Sequence, residues 1–324
     1  MFTLVELEAA VALVRGVVPT TPQYAWPRLA QRLGCTVWVK HENHTPTGAF
    51  KVRGGVVYLD ALKPAGGGRL NGVITATRGN HGQSICFSAA RAGIPATIYV
   101  PYGNSPDQNA AMRSLGATLV EFGKDFDEAR AEAARVAQAQ GLHYIPSFHR
   151  DLVKGVASYA HELFRAVAEL DTVYVSIGMG SGICGLITVR DLLGLKTEIV
   201  AVVARNAPAM ALSFEAGRPV ATNSAFTFAD GIATREPVAE ALSIIRNGAA
   251  RIVQVSEDEI ADAIRIYFHD THQIAEGAGA APLAGLIQER RRMAGKNIGV
   301  ILSGGNMDAA VYQSVLAGNT PVAG

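Results

Sequence analysis

One lysine of this sequence stands among apolar neighbours. Lys51 follows Ala49 and Phe50 and precedes Val52, and two glycines come shortly after it. Since an apolar setting disfavours the ammonium form, it lowers the pKa of a lysine, and a lysine that sheds its proton can form a Schiff base with an aldehyde. The same local sequence would also suit a lysine at the start of a helix whose side chain extends its ammonium group into water. This stretch alone leaves both interpretations open.

A turn that contains glycine follows the predicted strand at 73–76 and opens a predicted helix. Its residues are Thr77, Arg78, Gly79, Asn80 and His81. The N-terminus of a helix has free backbone N–H groups and a partial positive charge, so it suits an anion. An ordinary turn in which Thr77 or Asn80 caps the helix would explain the same pattern.

A second turn lies between a predicted strand at 172–177 and the next predicted helix. It comprises Gly178, Met179, Gly180, Ser181 and Gly182. Glycines let the backbone approach a ligand closely, and successive N–H groups can cradle a phosphate. With the glycine at 185 the turn also satisfies the G-x-G-x-x-G pattern of dinucleotide-binding proteins. That pattern needs an acidic residue at the end of the following strand. This chain has Ala204 and Arg205 there, which disfavours a dinucleotide.

A third turn again follows a predicted strand and precedes a predicted helix. It comprises Ser303, Gly304, Gly305 and Asn306. Ser303 offers a hydroxyl to a ring nitrogen, although a plain strand–helix turn explains the pattern equally well. Turns at the carboxyl ends of parallel strands converge on one crevice. A phosphate cradle, an anion-binding turn, a hydroxyl and an apolar lysine together describe a site for pyridoxal phosphate.

Strands and helices must alternate along the chain to hold these turns. From residue 73 onwards short apolar strands are followed by helices that end at glycines, which is typical of parallel sheets covered by helices. A chain of 324 residues is longer than one core usually serves. The predicted large subdomain comprises residues 1–66 and 145–324, and the predicted small subdomain comprises residues 67–144. A helix is expected over roughly 53–62, and residues 206–235 are expected to be irregular.

Six stretches of the sequence match one family. They are Phe50-Lys51 with Arg53-Gly54, Gly79-Asn80-His81-Gly82-Gln83, the glycine turn at 178–182, Ala229-Asp230-Gly231, Glu276-Gly277-Ala278-Gly279-Ala280, and Ser303-Gly304-Gly305-Asn306. Over essentially its whole length the chain resembles the threonine/serine dehydratase group of pyridoxal-phosphate enzymes of fold type II, in the tryptophan synthase β-like superfamily. The resemblance implies an α/β fold with two open parallel-sheet subdomains and the cofactor in the cleft between them.

The resemblance also implies roles for individual residues. Lys51 would carry the cofactor and act as the base for the α-proton, with Phe50 against the ring. Asn80 would bind the cofactor's 3-hydroxyl, and Ser303 would bind its ring nitrogen. The turn at 178–182 would bind the phosphate, and the turn at 77–81 would bind the substrate carboxylate.

A neutral partner for the ring nitrogen bears on the reaction that the resemblance implies. The Ser303 hydroxyl cannot hold the ring nitrogen protonated as a carboxylate would, so prompt expulsion of a β-hydroxyl group is expected. The expected enzyme is a lyase that converts a β-hydroxy-α-amino acid to a 2-oxo acid and ammonia. The alternatives are a β-replacement enzyme or a racemase of the same family, an NAD(P) oxidoreductase built on the turn at 178–185, or a binding protein without cofactor.

The chain departs from the family pattern at two places. Arg78 occupies the position of a small residue, and a guanidinium cannot serve as the second base of a racemase. Arg78 is expected to favour a substrate with a larger or anionic β-substituent, unless it turns away and pairs with a carboxylate such as Asp230. Many relatives have an acidic cation site soon after the strand equivalent to 199–204. In this chain the first carboxylate after that strand is Glu215, so no metal site is predicted.

Composition and charge restrict the remaining possibilities. The formal net charge is +1 and charged residues make up 18% of the chain, so no global field recruits nucleic acid or a membrane. The three cysteines are odd in number and lack C-x-x-C spacing, which argues against a disulfide framework or a zinc site. No signal sequence or membrane span is evident. We expect a cytoplasmic homodimer whose partner is a small amino acid substrate.

Overall fold

Strands alternate with helices along the chain in the computed structural model, which describes residues 1–62 and 70–322. The strands are β1 (Gln23–Ala25), β2 (Thr36–His41), β3 (Val73–Ala76), β4 (Ala96–Val100), β5 (Thr118–Glu121), β6 (His143–Tyr144), β7 (Thr172–Ser176), β8 (Glu198–Ala204), β9 (Ala249–Val255) and β10 (Asn297–Leu302). They form two separate sheets. The predicted α/β fold with two parallel-sheet subdomains is confirmed.

The helices cover these sheets. They are α1 (Leu4–Arg15), α2 (Pro27–Leu33), α3 (Lys51–Ala61), α4 (Asn80–Ala92), α5 (Pro106–Ser114), α6 (Phe126–Gln140), α7 (Arg150–Ala166), α8 (Ser181–Leu192), α9 (Ala209–Ala216), α10 (Ala239–Gly248), α11 (Glu257–Thr271), α12 (Gly277–Gln288), α13 (Arg290–Met293) and α14 (Ala309–Leu316), with 3-10 turns at Glu42–His44 and Asp230–Ile232. Within the described part of the chain, none of these helices is both long and apolar enough to cross a membrane.

The larger sheet has the strand order β1-β2-β10-β7-β8-β9 and is parallel except at its edge, where β1 pairs antiparallel with β2. Strand β8 is almost wholly apolar, as expected for a strand that is buried on both faces. Because side chains alternate along a strand, Val200 and Val202 pack into one hydrophobic cluster, while Ile199 and Ala201 pack into another on the opposite face. The sheet is therefore sandwiched between two layers of helices.

The smaller sheet has the parallel order β5-β4-β3-β6. Its core extends beyond these strands, because Tyr58 and Leu59 of α3 and Leu152 of α7 pack into the same cluster as Val73 and Ile98. The predicted boundary between residues 66 and 67 lies outside the described residues. The division of the chain at 66/67 and 144/145 stays a prediction.

Helix α3 begins at Lys51, two residues earlier than the sequence predicts. The glycines at 54 and 55 are explained by close packing. A Cβ atom at Gly54 would lie 2.8 Å from the carbonyl oxygen of Leu152, and one at Gly55 would lie 2.4 Å from the hydroxyl of Ser84. Glycine weakens a helix interior, but here it lets α3 lie directly against α7 and α4.

A cluster of four charged residues lies beneath the first turn of α3. The side chains of Lys40, Glu42, Arg53 and Glu162 are fully buried. Arg53 bonds Glu42 at 2.7 Å and Glu162 at 2.9 Å. Lys40 bonds the other oxygen of Glu162 at 2.7 Å. The cluster joins β2, α3 and α7, so it fixes the start of α3 against the larger sheet.

The expectation that residues 206–235 are irregular was wrong for part of this segment. Helix α9 spans Ala209–Ala216, follows Pro208 and ends at Gly217 with a φ of 72°. Proline near the start and glycine just past the end are ordinary helix boundaries, and the residues between them are mostly good helix formers. The short length of the helix hid this pattern among loop residues.

Candidate active site

Lys51 lies at the cleft end of α3, and its partly buried side chain has no hydrogen bond or ion pair among the described residues. Its Nζ atom is 5.0 Å from the centroid of the Phe50 ring. Burial lowers the pKa of Lys51 to about 8, against the opposing effect of the Glu276 carboxylate. Near neutral pH such an amine exchanges its proton readily, which suits both nucleophilic attack and proton transfer.

The third glycine turn holds the lysine segment in place. The backbone N–H of Phe50 donates to the carbonyl oxygen of Ser303 at 3.0 Å, and Ala49 forms an isolated bridge with Gly304. Ser303 itself is 5% exposed. The end of β10 and the start of α3 are thereby fixed to each other, so the predicted lysine and the predicted hydroxyl share one end of the cleft.

The second glycine turn lies on the other side of Phe50. A Cβ atom at Gly182 would lie 3.7 Å from the edge of the Phe50 ring. Tyr159 meets Phe50 edge-on with 6.0 Å between centroids, and its hydroxyl donates to the Gly182 carbonyl at 3.0 Å. Gly180 has a φ of 101° and is followed by the first residue of α8. The free N–H groups at the start of α8 therefore lie beside the aromatic ring and can receive an anion.

The first glycine turn is shaped by Thr77. Its hydroxyl accepts hydrogen bonds from the backbone N–H groups of Gly79 at 3.0 Å and Gly82 at 3.2 Å. The ordinary capping role considered for Thr77 is thus present. Burial and the charge of Lys51 lower the pKa of His81 to about 3, so its imidazole is neutral, and its Nε2 atom has no hydrogen-bond partner among the described residues.

Asn80 connects two of these turns to a buried carboxyl group. Its Nδ2 donates to Oε1 of Glu276 at 2.7 Å, and its Oδ1 accepts from Nδ2 of Asn306 at 2.8 Å. Asn306 also donates to the carbonyl oxygen of Thr47 at 2.7 Å. The starts of α4 and α12 and the turn after β10 therefore meet at one point beside the lysine segment.

Arg78 lies 3.3 Å from Asp230, measured from Nε to Oδ1. The contact is an ion pair and not a hydrogen bond, since Nε has no hydrogen-bond partner in residues 1–62 and 70–322. Both side chains stay partly exposed, at 39% and 51%. The 3-10 turn that carries Asp230 packs against the second glycine turn, because a Cβ atom at Gly178 would lie 2.3 Å from the carbonyl oxygen of Gly231. The pairing considered as an alternative for Arg78 is therefore the one in the structure.

Two residues of this site, Glu276 and Asn306, were given no role in the sequence analysis. Both belong to stretches that carry the family resemblance, and each was treated only as part of a motif. One signal was available for Glu276: a carboxylate directly before the small residues at 277–281 has little nearby bulk and can enter a tight cleft. Its partner Asn80 lies 196 positions away, which only the fold reveals.

The residues present fit pyridoxal phosphate. A lysine with a pKa near 8 can react with the aldehyde, and the N–H groups at the start of α8 can receive the phosphate. Phe50 offers a ring face between them, and Ser303 and Asn80 offer polar atoms at the cleft. Glycine at 182 keeps the space next to Phe50 free of a side chain.

Comparisons with known proteins agree with this chemistry. A family model described as pyridoxal-phosphate dependent enzyme matches residues 14–304. The chain is 34% identical over 297 residues to an L-threonine ammonia-lyase of Geobacter sulfurreducens, covering 91% of this chain and 73% of that protein. It is 31% identical to the biosynthetic L-threonine dehydratase of Salmonella typhimurium, covering 89% of this chain and 56% of that protein.

A solved structure extends the comparison to the fold. The processed form of threonine deaminase isoform 2 from Solanum lycopersicum superimposes with a TM-score of 0.88 at 29% identity, covering 98% of this chain and 95% of that chain. The family model spans most of this chain, including the lysine stretch and the first two glycine turns, and it ends within the third turn at residue 304. The chain therefore belongs to the pyridoxal-phosphate-dependent enzymes of fold type II.

Proposed function

We propose that this enzyme is a lyase that eliminates water from a β-hydroxy-α-amino acid to give an enamine, which water then hydrolyses to a 2-oxo acid and ammonia. The names of two of its relatives, threonine ammonia-lyase and threonine dehydratase, support this class. The observation that carries the proposal is the backbone bond between Phe50 and Ser303. It fixes a reactive lysine and a neutral hydroxyl at the same end of one cleft.

The cofactor, when bound, supplies an electron sink for the bond that breaks at the α-carbon. In our proposal the turn at 178–182 holds its phosphate, Phe50 lies against its ring, and Asn80 and Ser303 bind its polar ring atoms. The amine of Lys51 takes the α-proton. With a pKa near 8, this amine can accept that proton and release it again at neutral pH.

The turn at 77–81 is proposed to bind the substrate carboxylate. Its free N–H groups lie at the start of α4, where an anion is stabilised. The neutral His81 adds no charge of its own. Binding at this turn would orient the α-proton of the substrate toward Lys51 across the cleft.

Elimination is favoured over racemisation by the residue at position 78. A racemase needs a second base on the face opposite Lys51, and a guanidinium is always protonated. Arg78 is also next to a carboxylate that holds it in place. An NAD(P) oxidoreductase is disfavoured because Ala204 and Arg205 end the strand where a ribose-binding carboxylate would be needed. A β-replacement reaction remains the alternative within the family.

The substrate side chain is proposed to face the Arg78–Asp230 pair, which would favour a larger β-substituent over that of serine. Because Asp230 offsets the charge of Arg78, the preference for an anionic β-substituent is reduced. The cytoplasmic location and the homodimer stay predictions.

A substrate screen tests the proposed function. The purified holoenzyme would be incubated separately with serine, threonine, hydroxyaspartate and phenylserine, and 2-oxo acid and ammonia would be measured together. We expect equal amounts of the two products from at least one of these substrates, without formation of the other amino acid enantiomer. Cofactor-loaded enzyme that releases no 2-oxo acid, or that equilibrates the enantiomers instead, would contradict the proposal.

A further inference from the structure

The carboxyl group of Glu276 has no part in the reaction as proposed. It is 9% exposed and lies at the start of α12. Its Oε1 accepts from Asn80, and the nearby backbone of Asn306 favours the ionised form by lowering the pKa of the carboxyl group. Small neighbours make room for it, since a Cβ atom at Gly304 would lie 2.7 Å from Oε1. The group is thus built into the cleft wall.

The hydrogen bonds around Asn80 define which way its amide points. A carboxylate only accepts hydrogen bonds, so the amide nitrogen of Asn80 faces Glu276 and its oxygen faces Nδ2 of Asn306. A flipped amide would place two oxygens against each other and two nitrogens against each other. One N–H of Asn80 is used by Glu276, which leaves the second N–H for a ligand.

We propose that Glu276 is a positioning residue that holds the Asn80 amide in one orientation and, when ionised, places a negative charge near the amine of Lys51. The inference rests on the proposed function, in which Asn80 and Lys51 bind the cofactor. Glu276 would act through these two residues and not by touching the reacting atoms.

The charges that face this region determine the sign of the effect. Lys51 comes from α3, His81 from α4, and Asp230 from the 3-10 turn next to α12. Burial, with a smaller contribution from the charge of Asp230, raises the pKa of Glu276 to about 7. The hydrogen bond from Asn80 and the charge of Lys51 oppose this rise. Because Glu276 raises the pKa of Lys51, removal of its charge lowers the proton affinity of the Lys51 nitrogen.

The test uses the visible absorbance of the bound cofactor, measured as a function of pH, together with the Kd for pyridoxal phosphate. Glu276→Gln should lower the pH midpoint of the absorbance change by about one unit and weaken cofactor binding about tenfold. Glu289→Gln is the matched control. It removes a carboxyl group at the other end of α12, where Glu289 bonds Arg251 and Tyr174, and it should leave the midpoint unchanged.

A double-mutant cycle with Asn80→Ala tests whether the effect passes through Asn80. In the Asn80→Ala background, Glu276→Gln should change the Kd by less than about twofold, because the oriented group is already absent. Additive effects would overturn the positioning role. A folded Glu276→Gln protein whose midpoint and Kd both match the unsubstituted enzyme would overturn the whole inference.

A second variant covers the case in which Glu276→Gln does not fold. Asn306→Ala removes the donor to the Asn80 oxygen without changing charge. It should therefore weaken cofactor binding and leave the pH midpoint of the absorbance change in place. Its effect on the Kd should be less than additive with that of Asn80→Ala. An unchanged Kd in Asn306→Ala would contradict the orientation argument. Failure of the proposed function has a different signature, since the unsubstituted enzyme would then show no visible band or release no 2-oxo acid.

Discussion

Helix α3 carries two cationic side chains two residues apart, one fully buried and one partly buried, and their surroundings differ. Arg53 belongs to the charge cluster with Lys40, Glu42 and Glu162, in which two positive and two negative side chains bond one another at 2.7 to 3.0 Å. Among the described residues, the opposite charge that acts on Lys51 is the carboxyl of Glu276, to which Lys51 makes no hydrogen bond. The cluster can fix the helix, whereas Lys51 is left free to react.

The comparison is sharpest between Lys40, which is fully buried, and Lys51, which is partly buried. Lys40 donates all three of its N–H bonds, to the carbonyl of Thr21 at 2.7 Å, to Gln23 at 3.1 Å and to Glu162 at 2.7 Å. An ammonium group has three donors, so none of them is spare. Burial lowers the pKa of both lysines. Burial alone therefore does not identify a reactive lysine, and unused hydrogen-bonding capacity does.

The largest expected effect comes from removal of the unpaired lysine. Lys51→Ala should abolish the visible absorbance of bound cofactor and all turnover, because the fully buried Lys40 already uses all three of its donors. Absorbance spectra after dialysis, with the product assay, measure both losses. A variant that retained the band would remove Lys51 from its assigned role.

The next effect concerns the charge cluster. Glu162→Gln leaves Lys40 and Arg53 with one carboxylate between them, and removal of one partner of a buried ion pair costs about 3 kcal/mol of the free energy of unfolding. Urea denaturation of the holoenzyme measures this. The folded variant should keep its absorbance band.

An exposed ion pair provides the control for this measurement. Glu132→Gln breaks the contact with Arg135 on the surface of α6, and no measurable change in stability is expected because solvent screens such pairs. If Glu162→Gln is equally harmless, the cluster does not fix α3.

The smallest expected effect concerns substrate choice. If Arg78 contacts the substrate, Arg78→Ser should change the ratio of kcat/KM values among serine, threonine, hydroxyaspartate and phenylserine by about tenfold, or about 1.4 kcal/mol. Asp230→Asn is the complementary variant. It removes the charge that offsets Arg78, so hydroxyaspartate should gain relative to serine. The same change for all four substrates in both variants would mean that the pair is structural.

Local signals in the sequence were sufficient for most of the fold. The serine–glutamate capping box at 256–259 predicts the start of α11 and is present in the structure. Glycines predicted to end helices at 34, 93 and 141 have positive φ values there. Strand β1 was missed because it is a three-residue edge strand with mostly exposed side chains. Such a strand has no alternation of apolar and polar residues that could be detected in the sequence.

The site was predictable only where residues lie next to an element boundary. Each glycine turn follows a strand, so the topology of a parallel sheet brings the turns together. Pairings between distant residues were not predictable. Arg53 and Glu162 are 109 positions apart, and no local pattern indicates which carboxylate a buried cation will meet. The contact between Arg78 and Asp230 could be predicted only as one of two alternatives. It could be named at all because the family resemblance had already drawn attention to both regions of the chain.

The most direct test of the account asks which lysine carries the cofactor. The holoenzyme would be reduced with borohydride, digested, and analysed by mass spectrometry for the peptide that bears the cofactor's mass. We predict that the label lies on Lys51, whose partly buried amine has no hydrogen-bond partner among the described residues. A label on Lys40 or on any other lysine, or no label on a protein that contained cofactor, would contradict the central claim.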